Sequence, residues 1–165
     1  MHNRKYTTKQ LRCLLTIFLL SVIVSACSED EDVAPLDSTE KVNIIVGQDT
    51  YNKFLNGNYV TDPFTINDVN INGNYLEVEV SYSGGCEEHT FEMVWPESVD
   101  QIYPPKVPVI LTHDANGDLC EAYITETLKI DLAGDQLDYD IKTISNIEII
   151  VVNGSDKQNQ VSTND

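Results

Sequence analysis

Leu76, Val78, Val80 and Tyr82 alternate with Glu77, Glu79 and Ser81. Alternation with period two describes a strand with one buried and one solvated face. The same rhythm recurs where His89, Phe91, Met93 and Trp95 alternate with Thr90, Glu92 and Val94, and again in Val107, Val109, Leu111 and His113. A shorter row runs through Cys120, Ala122 and Ile124. Residues 42–46 and 147–152 are β-branched runs that suit more deeply buried strands. Helical periodicity is scarce, and only residues 48–56 offer room for a helical turn. Several short strands separated by turn signals predict an all-β fold, an antiparallel β-sandwich over residues 41–152. The order Cys86, Trp95, Cys120 makes it loosely Ig-like, although a cysteine separation of 34 is short for that fold.

Two Asn-Gly pairs set the expected registers, because a two-residue type I′ loop needs positive φ at both positions. With Asn72-Gly73 as the loop, Val69 stands opposite Leu76. With Asn116-Gly117 as the loop of a second hairpin, Leu111 stands opposite Ala122, Val109 opposite Ile124 and His113 opposite Cys120. Both registers gather apolar residues on one face.

The two ends read differently. Arg4, Lys5, Lys9 and Arg12 precede an almost wholly apolar run over residues 14–24, which ends in Ser25 and Ala26. A basic start, a short apolar run and small residues describe a secretory signal peptide over residues 1–26. The run falls short of the roughly 20 apolar residues a spanning helix needs, so an uncleaved anchor is the lesser alternative. Val24-Ser25-Ala26-Cys27 resembles the bacterial lipoprotein box. That resemblance implies that Cys27 is acylated, becomes the first residue of the mature protein and tethers it to the outer membrane. Ser28-Glu29-Asp30-Glu31-Asp32 resembles the surface-export signal of Bacteroidota-type lipoproteins, which implies exposure on the cell surface. A solvated acidic linker on the periplasmic side is the alternative. Residues 27–40 therefore read as lipidated cysteine plus acidic tether, and residues 153–165, poor in apolar side chains, as a disordered tail.

Processing sharpens the charge. The formal net charge is −17, and the 27 acidic residues all follow Cys27 while four of the ten basic ones precede it. Such a chain is repelled by phosphate backbones, which excludes nucleic acid as an expected partner. The expected partners are the membrane, through Cys27, and a protein or glycan.

Chemistry concentrates at two cysteines and two histidines. Cys13 leaves with the signal peptide and Cys27 carries lipid, so Cys86 and Cys120 remain as an even pair in an oxidising compartment. A disulfide between them is the leading expectation; it closes a loop of about 35 residues, worth roughly 3.5–4 kcal/mol by chain entropy. His89 follows Cys86 by three residues, and the hairpin register sets His113 beside Cys120. A zinc or copper site made of Cys86, His89, His113 and Cys120 is the alternative. A reactive thiol with a histidine base is a third and weaker reading, since a neighbouring cysteine readily oxidises it. Asp114, Asn116 and Asp118 resemble the start of an EF-hand loop, but Leu119 stands where its glycine belongs and Thr125 where its glutamate belongs. Trp95, Tyr103 and Tyr123 are candidates for a carbohydrate or peptide surface, with core packing as the stronger explanation. The chain has no Gly-x-Ser-x-Gly elbow, phosphate-binding glycine loop or His-Glu-x-x-His motif.

From Ser83 to Phe91 the pattern Ser-Gly-Gly-Cys-x-x-His-x-Phe, followed by the His113 to Ala122 stretch, resembles small uncharacterised Bacteroidota lipoproteins. The resemblance implies that these residues form one unit and brings no activity with it. The sequence thus points to a lipid-anchored envelope protein with a non-catalytic binding domain and no resident cofactor, or alternatively to a metal-binding envelope protein.

Overall fold

The computed structural model describes residues 42–98 and 103–164. The expected leader, Cys27 and the expected acidic tether lie outside the described residues. Two open sheets face each other across one apolar core. The first sheet has the order β1 (Val42–Val46), β4 (Thr90–Trp95), β5 (Lys106–Asp114), β7 (Glu148–Asn153) and β8 (Gln160–Ser162). The second has the order β2 (Thr65–Asn72), β3 (Tyr75–Gly84) and β6 (Ala122–Asp131).

The alternating rows become these strands. Leu76, Val78, Val80 and Tyr82 of β3 point inward with Leu128 and Ile130 of β6. They meet Phe91, Met93 and Trp95 of β4, Val107, Val109 and Leu111 of β5, and Ile149 and Val151 of β7. Trp95 is therefore core and hydrogen-bonds Tyr139 through its indole N–H at 3.0 Å, whereas Tyr103 and Tyr123 are exposed.

The sheets are not uniformly antiparallel. β1 runs parallel to β4, and β5 parallel to β7. A long connection separates each of these pairs in the chain, which parallel neighbours require. The Ig-like reading also fails in one particular: the cysteine bridge joins two loops near the surface and does not pack in the core beside Trp95.

Both hairpin registers change. The first loop is Gly73-Asn74, with Asn72 still in β2 and Gly73 alone at positive φ (62°), the arrangement of a type II′ loop. Ile71 therefore faces Leu76 and Val69 faces Val78. The shift is by two residues, so the apolar face is kept. A bulge at Asn67 lets Ile66 and Val69 both turn inward, and its amide donates to Ser81 Oγ at 2.7 Å. The second hairpin does not form. Asn116 and Gly117 do adopt positive φ (52° and 72°), but β5 already has β4 and β7 on its two edges. The chain crosses to the other sheet, where β6 pairs with β3.

Helix α1 (Gln48–Leu55) occupies the segment where a helical turn was expected. Tyr51 and Phe54, one turn apart, pack on Val94 and Ile110 of the outer face of the first sheet. Gly57 (φ 74°) ends it in a Schellman motif: its N–H reaches Phe54 O and the Asn58 N–H reaches Lys53 O. Lys157 Nζ satisfies the Leu55 carbonyl at 2.8 Å. A single turn, α2 (Ile141–Ile144), is capped by Asp140, whose Oδ1 accepts the Thr143 N–H at 2.8 Å.

The expected disordered tail is corrected in the same region. Residues 160–162 form β8 on the edge of β7, and residues 153–159 wrap a fully buried Asn153. The Asn153 amide donates to Phe64 O at 2.7 Å and to Asn159 Oδ1 at 3.0 Å. Its Oδ1 accepts from the N–H and hydroxyl of Ser155 and the N–H of Asp156. Asn159 in turn bonds both the N–H and the carbonyl of Ile66. Polar composition hid an element held by specific hydrogen bonds. Asn153→Ala strands several of these groups, so it is expected to lower stability by about 2 kcal/mol or more. Urea unfolding monitored through Trp95 fluorescence measures this; a change near zero contradicts the assigned role.

Candidate functional site

Four chain segments converge at one end of the sandwich. β3 ends at Gly84, and Gly85 (φ 112°) turns the chain so that successive backbone N–H groups of Gly85, Cys86 and Glu87 point the same way. Such a concave row of N–H groups binds anions. The anion here is the protein's own: Asp118 Oδ2 accepts from all three at 2.8, 2.8 and 2.9 Å. Asp118 reaches this place because the Asn116-Gly117 turn, closed by the Asp118 N–H to Ala115 O bond, reverses the chain just before it. Its Oδ1 accepts the Cys120 N–H at 2.8 Å. Both half-cystines thus donate a backbone N–H to one carboxylate, and Cys86 and Cys120 are joined as a disulfide.

The histidines continue inward from the same carboxylate. His89 Nε2 lies 3.2 Å from Asp118 Oδ2, and His89 Nδ1 lies 2.8 Å from His113 Nε2. Both rings are buried. His113 stacks on Phe91, its register partner on β4, with ring centroids 4.7 Å apart. His89 stacks on Tyr82 at 4.6 Å. Gly84 makes the approach possible: a Cβ there would run into His89 Nε2 and Cε1 and crowd Asp118 Oδ2.

The protons follow from the partners. An ionised carboxylate only accepts, so His89 Nε2 carries a hydrogen. With both rings neutral, His113 Nε2–H donates to His89 Nδ1, and His113 Nδ1 is the bare end of the chain. Consistently, His113 Nδ1 is buried and has no hydrogen-bond partner. The N–H groups of Cys120, Glu87 and Cys86 hold the Asp118 carboxyl far below the usual range, against desolvation and with help from His89. Burial, followed by the neighbouring His89, pushes His113 down; Asp62 and the backbone carbonyls of Pro63 and Asp62 oppose this more weakly.

Of the residues singled out from sequence, Cys86, Cys120 and His89 are brought directly together around Asp118. His113 reaches the group only through His89, and its register partner is Phe91 in place of Cys120. The Cys86, His89, His113, Cys120 set is thus not a four-donor cage here, because both sulfurs are bonded to each other and His113 faces the ring nitrogen of His89 opposite to Asp118. Asp114 Oδ1 accepts the Asn116 N–H within the turn. Asp118 is the residue that sequence reasoning weighed only as a turn residue or a calcium-loop ligand, and not as the centre of the cysteine–histidine group. The one available signal was Gly84-Gly85, which marks a close approach and a positive φ.

A groove of about 360 Å³ lies beside this end, between residues 59–62 and the outer face of β4 and β5. Thr61, Thr90 and Thr112 contribute hydroxyls; Asp62, Glu92 and Asp114 contribute carboxylates.

No protein-family model matches the chain, and no curated protein matches it. Seven solved chains match. One is a protein of unknown function, DUF1344, from Bacteroides vulgatus, at 15% identity and TM-score 0.46, covering 73% of this chain and 54% of that one. Another is a NigD-like immunity protein from Bacteroides caccae, at 20% identity and TM-score 0.47, covering 75% of this chain and 58% of that one. The chain spans somewhat more than half the length of these structures.

Two outcomes test the site. Because His113 is lowered from 6.5 in the folded state, the unfolded chain takes up its proton first as pH falls. The His113 contribution to stability is full above pH about 6.5 and is lost as pH falls below that value, until the folded-state pKa is reached. Asp118 stays ionised throughout this window. Unfolding midpoints between pH 8 and 5 are therefore expected to fall on acidification, with a shallower slope in His113→Gln; an equal slope contradicts the assignment. Gly84→Ala is expected to separate His89 from Asp118 and lower the melting temperature, whereas Gly73→Ala, at a turn where a Cβ meets nothing, costs only turn strain.

Proposed function

We propose that this chain is an exported, lipid-anchored cell-envelope protein whose β domain serves as a non-catalytic binding or interaction module. The Cys86–Cys120 bridge carries this reading, because disulfides persist in oxidising compartments and not in the cytosol. It agrees with the leader and the lipoprotein-like box ahead of Cys27. The buried histidines support the non-catalytic part. His89 is tied to Asp118 and His113, Asp118 is held by backbone N–H groups, and the thiols are spent on each other. What faces solvent at this end is the groove of hydroxyls and carboxylates, which suits recognition of a protein or glycan partner. The anchor on Cys27 places the domain at the outer membrane, with its acidic surface facing outward from the cell.

Labelled fatty acid fed to cells making the protein is expected to appear in the intact chain and to vanish in Cys27→Ala, which should also leave the membrane fraction. Continued labelling or continued sedimentation of Cys27→Ala sinks the lipoprotein assignment. Loss of the protein on protease treatment of intact cells is the expected sign of surface exposure; protection reverses it in favour of the periplasmic face.

A further inference from the structure

We propose that reduction of the Cys86–Cys120 bridge opens a zinc site whose four ligands are Cys86, Cys120, Asp118 and His89. The inference stands apart from the proposed function, since it concerns the reduced chain and neither anchoring nor partner recognition. Both sulfurs and a carboxylate oxygen of Asp118 lie within 4.8 Å of one another. The fourth donor adjoins the carboxylate of this cluster, with His89 Nε2 at 3.2 Å from Asp118 Oδ2, and reaches the sulfurs as they part. Around a tetrahedral zinc ion, with bonds of about 2.0–2.3 Å, neighbouring ligand atoms sit roughly 3.3–3.8 Å apart. The His89 nitrogen already stands this close to the Asp118 carboxylate, at Oδ2, and the sulfurs acquire the separation by moving apart once their bond is broken.

The surroundings suit the ion as well as the donors do. A ligating histidine normally gives its other ring N–H to a partner that fixes the tautomer. His113 Nε2 stands at 2.8 Å from His89 Nδ1 for this purpose. Metal binding reverses the tautomers assigned to the oxidised chain: His89 Nε2 gives up its hydrogen to face the ion, and His89 Nδ1–H donates to His113 Nε2. Asp118 Oδ1 accepts the Cys120 N–H, which leaves its second lone pair for the metal. The nest of N–H groups from Gly85, Cys86 and Glu87 keeps the carboxylate in place when the covalent link is gone. Two thiolates, an imidazole and a carboxylate are a donor set that zinc accepts. Cys86 is exposed and Cys120 half-buried, so reductant and metal have access.

The chemistry balances in two steps. A dithiol reductant gives two electrons and two protons to the bridge, becomes a cyclic disulfide itself and leaves two protein thiols. Zinc then displaces both thiol protons to solvent and binds the two thiolates. The loop after β3 and the loop after β5 are thereby clasped in either state, by a covalent bond when oxidised and by a metal ion when reduced.

The test uses the full chain, reduced with a phosphine that is removed before metal is added. Elemental analysis after gel filtration is expected to give one zinc per reduced chain and none per oxidised chain. Cobalt(II) in place of zinc is expected to show thiolate charge-transfer absorption and the visible bands of tetrahedral coordination; this readout needs no substitution and no refolding. In competition with a chromophoric chelator, Asp118→Asn and His89→Gln are expected to weaken zinc binding by about 100-fold or more. His113→Gln should weaken it by about 10–100-fold, as loss of a partner that orients a ligand does. A reduced chain that takes up no stoichiometric zinc overturns the proposal. So does cobalt without the thiolate band, or zinc held as tightly by Asp118→Asn and His89→Gln as by the unaltered chain.

Discussion

One carboxylate organises the end of this molecule where its chemistry lies. Asp118 receives four backbone N–H groups and one imidazole, from segments on both sides of the sandwich. A buried anion is tolerable only when hydrogen bonds replace the water it has lost, and here each donor has that duty. Through it the turn after β3 is fixed to the turn after β5, which is to say one sheet to the other. The disulfide repeats the same link in covalent form. The histidine pair extends it into the core, where His113 sits between aromatic rings.

The remaining closures between the sheets follow a similar plan. The apolar core supplies the driving force without choosing a particular alignment. Alignment comes from polar side chains that reach across: Asn153 to the Phe64 carbonyl, Asn159 to Ile66, and the Trp95 indole to Tyr139. Buried and satisfied, such groups favour one arrangement over others because any slip leaves them unpaired.

These two kinds of information were unequally legible in the sequence. Alternation in residues 76–82, 90–95 and 107–113 is a local property, and it became three strands. Partner choice is not local. Nothing in residues 42–46 announces a parallel pairing with β4, and nothing in residues 107–113 announces that both edges of β5 are taken. That hidden fact dissolved the expected hairpin and moved His113 from Cys120 to Phe91. Period-two alternation assigned the two histidines correctly to the inward side, but the cysteines meet in loops beyond the strand ends, with Cys86 exposed, where alternation assigns no face. Asp118 was read as a turn residue because its partners lie 31–33 positions earlier. The bulge at Asn67 and the order of the last residues were missed for a related reason. Each is accompanied by a side-chain amide meeting a distant partner, the Ser81 hydroxyl for Asn67 and backbone groups for Asn153 and Asn159, and composition carries no trace of such a meeting.

The amide of Asn159 beside Ile66 bears on how these molecules behave in a crowd. Its oxygen and nitrogen fill the donor and acceptor slots that the start of β2 presents outward. An intruding strand from another copy finds that stretch of sheet margin already engaged. At this point of the sheet margin a single side chain imitates a peptide unit and takes the place an added strand would need.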